Sequence, residues 1–403
     1  MEKRFIGEKL VEALQYRGIR MSALAKMTGL SKQSISSYCS ETTEPSYSSI
    51  FKIAVALNFP IDYFISENSI DIRTENTYFR SQAAATKMAQ QSQKIKMEYA
   101  CRLYTTLLRY VNLPVLDLPE IIFDGYEAPE DADSPRAFEE IERIAMAVRK
   151  EWGLGSEPIE NLQFVLEKHG IVVTGFKNVE GKIDAFCQKM FADNELRFLI
   201  ALAIGDKPIG RLRFDMGHEL GHILLHYSEN SNDSFSKEEL SVQERQANMF
   251  SGAFLLPKDA FYNDFAAYST QIEYYVEMKK KWGVSIQAMV YRAHQLGMIT
   301  WNQYSYLMRQ ISKRGWRTRE PGDVPGRLNS TIFQASIDML FEGEYLTPYD
   351  LKKEFARNNI WLNEDDLEDL MGLRAGTLAS NSLDNKMEPG SKILKFHVRD
   401  KDN

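Results

Sequence analysis

His218-Glu219-Leu220-Gly221-His222 is the stretch on which the reading of this chain turns. Two histidines four residues apart stand one turn above each other on the same helix face. From there both imidazoles can reach one ion at ~2.0–2.1 Å. Glu219 stands beside that face, where a carboxylate can take a proton from a metal-activated water. The helix expected around it spans 209–227. Leu212, Met216, Leu220, Ile223, Leu224 and Tyr227 make an apolar stripe on another face, so the helix can be packed while it presents its histidines. With six histidines in the chain, a chance match to this pattern is expected on the order of 0.01 times. The spacing therefore favours a metal site over two unrelated core or surface histidines.

A tetrahedral catalytic site needs a third protein ligand and an open fourth position. The next expected helix, 238–256, offers Glu238, Glu239 and Glu244, and spacing alone leaves the choice open. Glu244 stands four residues before Asn248, and the small Ala247 lets this helix approach the first closely. Asn248 is suited to hold a ligand histidine from behind. His226, one turn beyond His222, reads as a helix-end histidine favoured by the dipole in preference to a ligand. His169, next to Gly170, reads as structural. No residue is singled out as an oxyanion stabiliser.

Working outward, short β-branched or apolar runs at 171–173 and 198–204 read as strands. The edge of the second suits strand addition by a substrate backbone. Helices are expected at 136–152 and 159–169, with Gly170 as C-cap, and at 268–282 and 286–296. Residues 134–317 thus form an α+β unit. Residues 67–133 read as a helical connector: a solvated helix over 81–94, a docking segment at 101–111, then a proline-rich run. Residues 318–403 read as a small helical C-terminal domain, with helices near 331–341, 348–356 and 364–371, then a mobile polar tail holding a short strand at 393–398. Residues 1–66 form an all-α module.

A chain of 403 residues exceeds one typical core, so two or three domains are expected. Its 44% hydrophobic and 26% charged residues are ordinary for a globular protein. A net charge of −7 excludes a surface that coats nucleic acid everywhere, so any such contact must be local. The first 65 residues carry eight Lys/Arg against six Asp/Glu, the sign such a contact needs. The three cysteines, Cys39, Cys101 and Cys187, are too few and too scattered for a disulfide framework and fit a reducing cytoplasm as small buried hydrophobes. The longest apolar run, 198–204, is too short to span a bilayer, and no membrane partner is expected.

Leu24-Ala25-Lys26-Met27-Thr28-Gly29-Leu30-Ser31-Lys32-Gln33-Ser34-Ile35 has the order of a helix-turn-helix. Ala25 permits the crossing, Gly29 makes the turn, Ser31 caps the second helix and Ile35 anchors it. Lys32, Gln33 and Ser36 are placed as base readers, Ser31 and Ser34 as phosphate donors. The partner implied is a double-stranded DNA operator, bound by a homodimer because one module buries little DNA surface. The following loop, Ser40-Glu41-Thr42-Thr43-Glu44-Pro45, is acidic, which lowers affinity and salt dependence and keeps open a protein-docking or dimerisation role.

Two resemblances cover these segments. Residues 5–65 resemble the XRE (Cro/CI-type) repressors. Arg213-Phe214-Asp215-Met216-Gly217-His218-Glu219-Leu220-Gly221-His222, Glu244-Arg245-Gln246-Ala247-Asn248-Met249-Phe250 and Trp282-Gly283-Val284-Ser285 resemble the ImmA/IrrE family of metallopeptidases over 134–320. That resemblance implies a zincin-like fold, zinc held by His218, His222 and Glu244, and Glu219 as general base. Gly217, where the family often has Ala, and Gln246, in place of a second Glu, depart from the pattern without removing a ligand. The whole implies a DNA-binding transcriptional regulator with a zinc-dependent endopeptidase domain, cleaving a partner regulator or antitoxin or controlling itself. The alternatives are a zinc domain that only senses or scaffolds, and a peptidase whose N-terminal bundle only docks its protein substrate.

Overall fold

A four-stranded sheet of order β1-β3-β4-β2 divides the chain's apolar residues into two cores. The computed structural model describes residues 4–66, 72–79, 86–122, 129–177, 185–204, 207–226, 236–326, 328 and 331–379; the strand expected at 393–398 lies outside them. The strands are β1 (Ile72–Phe79), β2 (Ile171–Lys177), β3 (Ala185–Ala192) and β4 (Glu195–Ile204). β2 runs parallel to β4, and β3 is antiparallel to both β4 and β1. Asp193 and Asn194, both at positive φ, turn β3 into β4, the backbone a two-residue hairpin demands. β4 is therefore interior, and the strand-addition edge expected there does not exist; the edges are β1 and β2.

Side chains alternate across the strands with period two. Ile171, Val173, Cys187, Phe198, Ile200 and Leu202 face one core. Val172, Phe186, Met190, Leu199 and Ala201 face the other. The first core is closed by α6 (Pro135–Glu151), α7 (Leu162–Lys168), α8 (Ile209–Leu225), α9 (Lys237–Leu255), α10 (Lys258–Phe265), α11 (Ile272–Trp282), α12 (Ile286–Gln295) and α13 (Trp301–Lys313). α10 and α13 fall in stretches for which the sequence suggested no element. A helix was expected across 268–282, but α11 starts only at Ile272.

The second core joins segments that the sequence separates. It holds α1 (Gly7–Arg17), α2 (Met21–Thr28), α3 (Lys32–Cys39) and α4 (Tyr47–Leu57), the central α5 (Lys87–Leu107), and α14 (Thr331–Glu342), α15 (Pro348–Arg357) and α16 (Glu364–Met371). Two expectations change here. The segment 67–133, expected as a helical connector, supplies an edge strand as well, and its helix is deeply buried instead of solvated. The C-terminal helices share a core with the N-terminal module instead of standing apart. Apolar packing joins these segments, and polar contacts fix how they meet. Ser92, expected in a solvated stretch, is buried and donates to Tyr16 O at 2.8 Å. Arg17 forks onto Asp366 at 2.7 and 2.5 Å and also reaches Asn58 O at 2.8 Å. Such a bidentate pair fixes orientation as well as distance.

α3 is left outward. Ser31 Oγ caps it by accepting from Ser34 N at 2.9 Å, while Lys32, Gln33 and Ser36 are exposed and Ile35 is buried. The acidic loop after α3 has a structural use: Glu41 Oε1 accepts from Gly7 N, at the start of α1, at 2.8 Å, where a carboxylate also complements the helix dipole. Among the described residues no helix is long and apolar enough to cross a membrane.

Candidate metal centre

The close approach of α8 and α9 builds the site, and glycines permit it. A Cβ on Gly221 would lie 3.1 Å from Ala247 Cα and 3.2 Å from Ala247 O. One on Gly217 would lie 2.7 Å from Ser251 Oγ, which itself donates to Phe214 O at 2.8 Å. Alanine at 217 would have to displace that hydroxyl, so the departure to Gly217 goes with Ser251. The result sets His218, His222 and Glu244 with one ligand atom each within 4.8 Å of one another.

The tautomers follow from the hydrogen bonds around the histidines. Asn248 Nδ2 donates to Glu244 O at 2.8 Å, leaving Oδ1 to accept from His218 Nδ1 at 3.1 Å. Gln246 Nε2 donates to Pro129 O and Asp131 O at 2.6 and 2.9 Å, so its Oε1 accepts from His226 Nε2 at 3.0 Å. His226 Nδ1 is then an acceptor, and His222 Nδ1–H donates to it at 3.1 Å. Both His218 and His222 thus turn an unprotonated Nε2 inward, 3.1 Å apart. Facing lone pairs repel unless a cation lies between them.

Glu244 completes the set, with Oε1 3.4 Å from His222 Nε2 and Oε2 3.5 Å from His218 Nε2. Ligands at ~2.0–2.1 Å on a tetrahedral ion stand ~3.3 Å from one another. The histidine pair stands close to that edge, and each histidine has one Glu244 oxygen near the same distance; two neutral imidazoles with one carboxylate are donors a divalent zinc accepts. Burial pushes the Glu244 carboxyl up, but positive charge at the histidine pair, carried by a proton where no ion is bound, outweighs it and holds the carboxyl down to about 2. Burial first, and then His222, lowers His226 to about 3, so it stays neutral in the relay.

Glu219 is fully buried and lies outside the three-residue cluster. Its neighbour is the Cys187 thiol, whose pKa is raised well above the ordinary value by burial first and then by the Glu219 charge and hydrogen bond. The structure therefore brings together His218, His222, Glu244, Glu219 and Asn248. It adds three residues read differently from the sequence: His226, Gln246 and Cys187. Ser31, Lys32, Gln33, Ser34 and Ser36 stand apart on α3.

His226 gives a measurable consequence. Phe at 226 keeps the ring's bulk but leaves His222 without its Nδ1 acceptor, freeing it to adopt the wrong tautomer. Affinity for a divalent metal at this cluster is expected to fall about 10–100-fold, read by competition with a chromogenic chelator. An unchanged affinity would show the relay to be idle.

Fold and cluster together define a helix-turn-helix protein that carries a peptidase-family domain. Residues 10–64 match the helix-turn-helix family model and residues 167–294 match the IrrE N-terminal-like domain model. The chain thus fuses an XRE-type helix-turn-helix to an ImmA/IrrE-like domain, the make-up of a DNA-binding regulator with a protease-family domain. No curated protein matches the chain.

Proposed function

We propose that this chain is a transcriptional regulator whose ImmA/IrrE-like domain is an active zinc endopeptidase acting on a partner regulator, an antitoxin or the regulatory machinery of the chain itself. The observation that carries this reading is the tautomer relay, which turns two Nε2 lone pairs onto one point beside the Glu244 carboxylate. Structural histidines need no such alignment. His218, His222 and Glu244 would hold the ion, and Asn248 and His226 would orient the imidazoles. Bound zinc supplies Lewis acidity toward a peptide carbonyl and toward water. Glu219 takes the proton from that water and returns it to the leaving amine. Its burial keeps competing water away from the carboxylate.

The test uses the full-length protein and a degenerate peptide library read by mass spectrometry. Cleavage should vanish on chelation and return with stoichiometric zinc. Cleavage indifferent to chelation would refute a metal mechanism. No cleavage by fully loaded protein would leave a domain that senses or scaffolds.

The N-terminal module is proposed to bind a double-stranded operator as a homodimer in the cytoplasm, with Lys32, Gln33 and Ser36 reading bases and Ser31 and Ser34 steadying phosphates. Lys32→Ala and Gln33→Ala are each expected to weaken binding to a selected operator by about 1–3 kcal/mol, with little change on random DNA. Equal losses on both DNAs in a gel-shift titration would move these residues from bases to backbone.

A further inference from the structure

A cleft of about 600 Å³ lies between the first half of α8, the middle of α9, α12 and α13. Its walls carry Lys207, Arg211, Arg245 and Arg317, with Tyr291 and Tyr304. The carboxylate among its lining residues, Asp215, is paired with Lys207 at 2.7 Å. On a chain of net charge −7 this is a concentrated local excess of positive charge.

Lys207 is neutralised by that pair, but the three arginines are held in place without a close acid of their own. Arg211 Nη2 donates to Arg317 O at 2.6 Å, and Arg317 Nε donates to Ser312 Oγ at 2.6 Å. Carbonyl and hydroxyl oxygens fix a guanidinium but leave its charge intact. Arg245 Nη1 donates to Ser241 Oγ at 2.8 Å, and its nearest acid, Asp133, is 3.4 Å away with 80% of its side chain exposed, a pairing that water screens. Arg245 Nε is shielded from solvent and has no acceptor among the described residues. A buried donor left in that state favours an incoming oxygen. The first turn of α12 also borders the cleft, but its N–H groups at Ile286 and Gln287 already donate to Glu320. The receptor is the set of guanidiniums.

Position identifies the occupant. Asn248 lines the cleft and holds His218, and Arg245 follows Glu244 directly. The cleft thus borders the proposed metal centre through Asn248, which touches a ligand histidine. It is walled by four elements and has room for a few side chains. We infer that it docks an acidic segment of the protein substrate, glutamate- or aspartate-rich, beside the bond to be cut. This deepens the peptidase reading and rests on it for the identity of the occupant.

The test is an anisotropy titration of fluorescein-labelled hexaglutamate against full-length protein stripped of metal by chelation, so that cleavage cannot intervene. Hexaglutamine and a hexathymidylate are the comparison probes. Hexaglutamate should bind at least about ten-fold tighter than hexaglutamine, as charge-assisted hydrogen bonds to arginine imply. That preference should disappear in Arg211→Gln/Arg317→Gln and fall in Arg245→Gln, while Lys32→Ala keeps it. Absence of the preference in the wild type, or its survival in the glutamine variants, overturns the inference. So does hexathymidylate binding tighter than hexaglutamate and lost in the same variants, which would make the cleft a nucleic-acid groove. In the zinc-loaded protein, library cleavage with no acidic bias sinks the docking site and spares the peptidase. Acidic binding with no metal-dependent cleavage does the reverse.

Discussion

Replacing Glu219 by Gln is expected to lower peptide cleavage about 10²–10⁴-fold while metal content and operator binding stay as in the wild type. Gln has the shape of Glu and can still accept from the Cys187 thiol, so the packing against β3 survives. It cannot take up a proton. The ligand set does not include position 219, since His218, His222 and Glu244 form the cluster without it. A loss of cleavage with one zinc per chain retained would separate base from ligand. Cleavage within ten-fold of the wild type would mean that another group accepts the proton and that the buried carboxylate is structural. Simultaneous loss of zinc would show that Glu219 reaches the ion after all. His226→Phe makes the complementary comparison: there affinity should fall while the base remains.

The histidine pair and Glu219 were legible because i,i+4 spacing is a local property of one helix. Glu244 was legible as one of three acids, and only the resemblance selected it, because the choice depends on how α9 crosses α8. The crossing is set by contacts such as Gly221 against Ala247, which no single helix pattern contains. His226 was assigned to the helix dipole because its partners are Gln246, twenty residues on, and His222 through ring nitrogens whose protonation depends on that partner. Cys187 sits on β3, a strand buried on both faces, so its sequence shows no clean alternation and the strand itself was missed. β1 was missed for a different reason: it is a polar edge strand, Ile-Arg-Thr-Glu-Asn-Thr-Tyr-Phe, held by pairing with β3. The union of the N-terminal module with α5 and the C-terminal helices was invisible because it rests on contacts such as Arg17 to Asp366, separated by 349 residues. Local pattern carried the chemistry of α8 and the helix-turn-helix; the scaffold that aims them is long-range.

Glu320→Ala is expected to destabilise the protein by about 3–5 kcal/mol, the usual cost of breaking a buried pair from one side, measured by urea unfolding. Glu320 is 4% exposed. One oxygen takes Lys279 Nζ at 2.8 Å and Ile286 N at 2.8 Å, and the other takes Gln287 N at 3.2 Å. Alanine leaves two N–H groups at the start of α12 without their acceptor and leaves Lys279 with Asp323 alone, at 2.5 Å. Glu320→Gln splits the effect, because its amide oxygen can still accept an N–H while the charge opposite Lys279 is gone; about half the loss is expected. Equal losses in the two variants would put the whole effect in the ion pair, and a change below about 1 kcal/mol in both, the scale of a surface pair, would mean that water replaces the carboxylate. The consequence extends to function because α12 carries Ser285, Gln287, Ala288 and Tyr291 into the cationic cleft. A helix frayed at its first turn no longer holds that wall, so affinity for hexaglutamate should fall with stability in this series even though Glu320 touches none of the four cations.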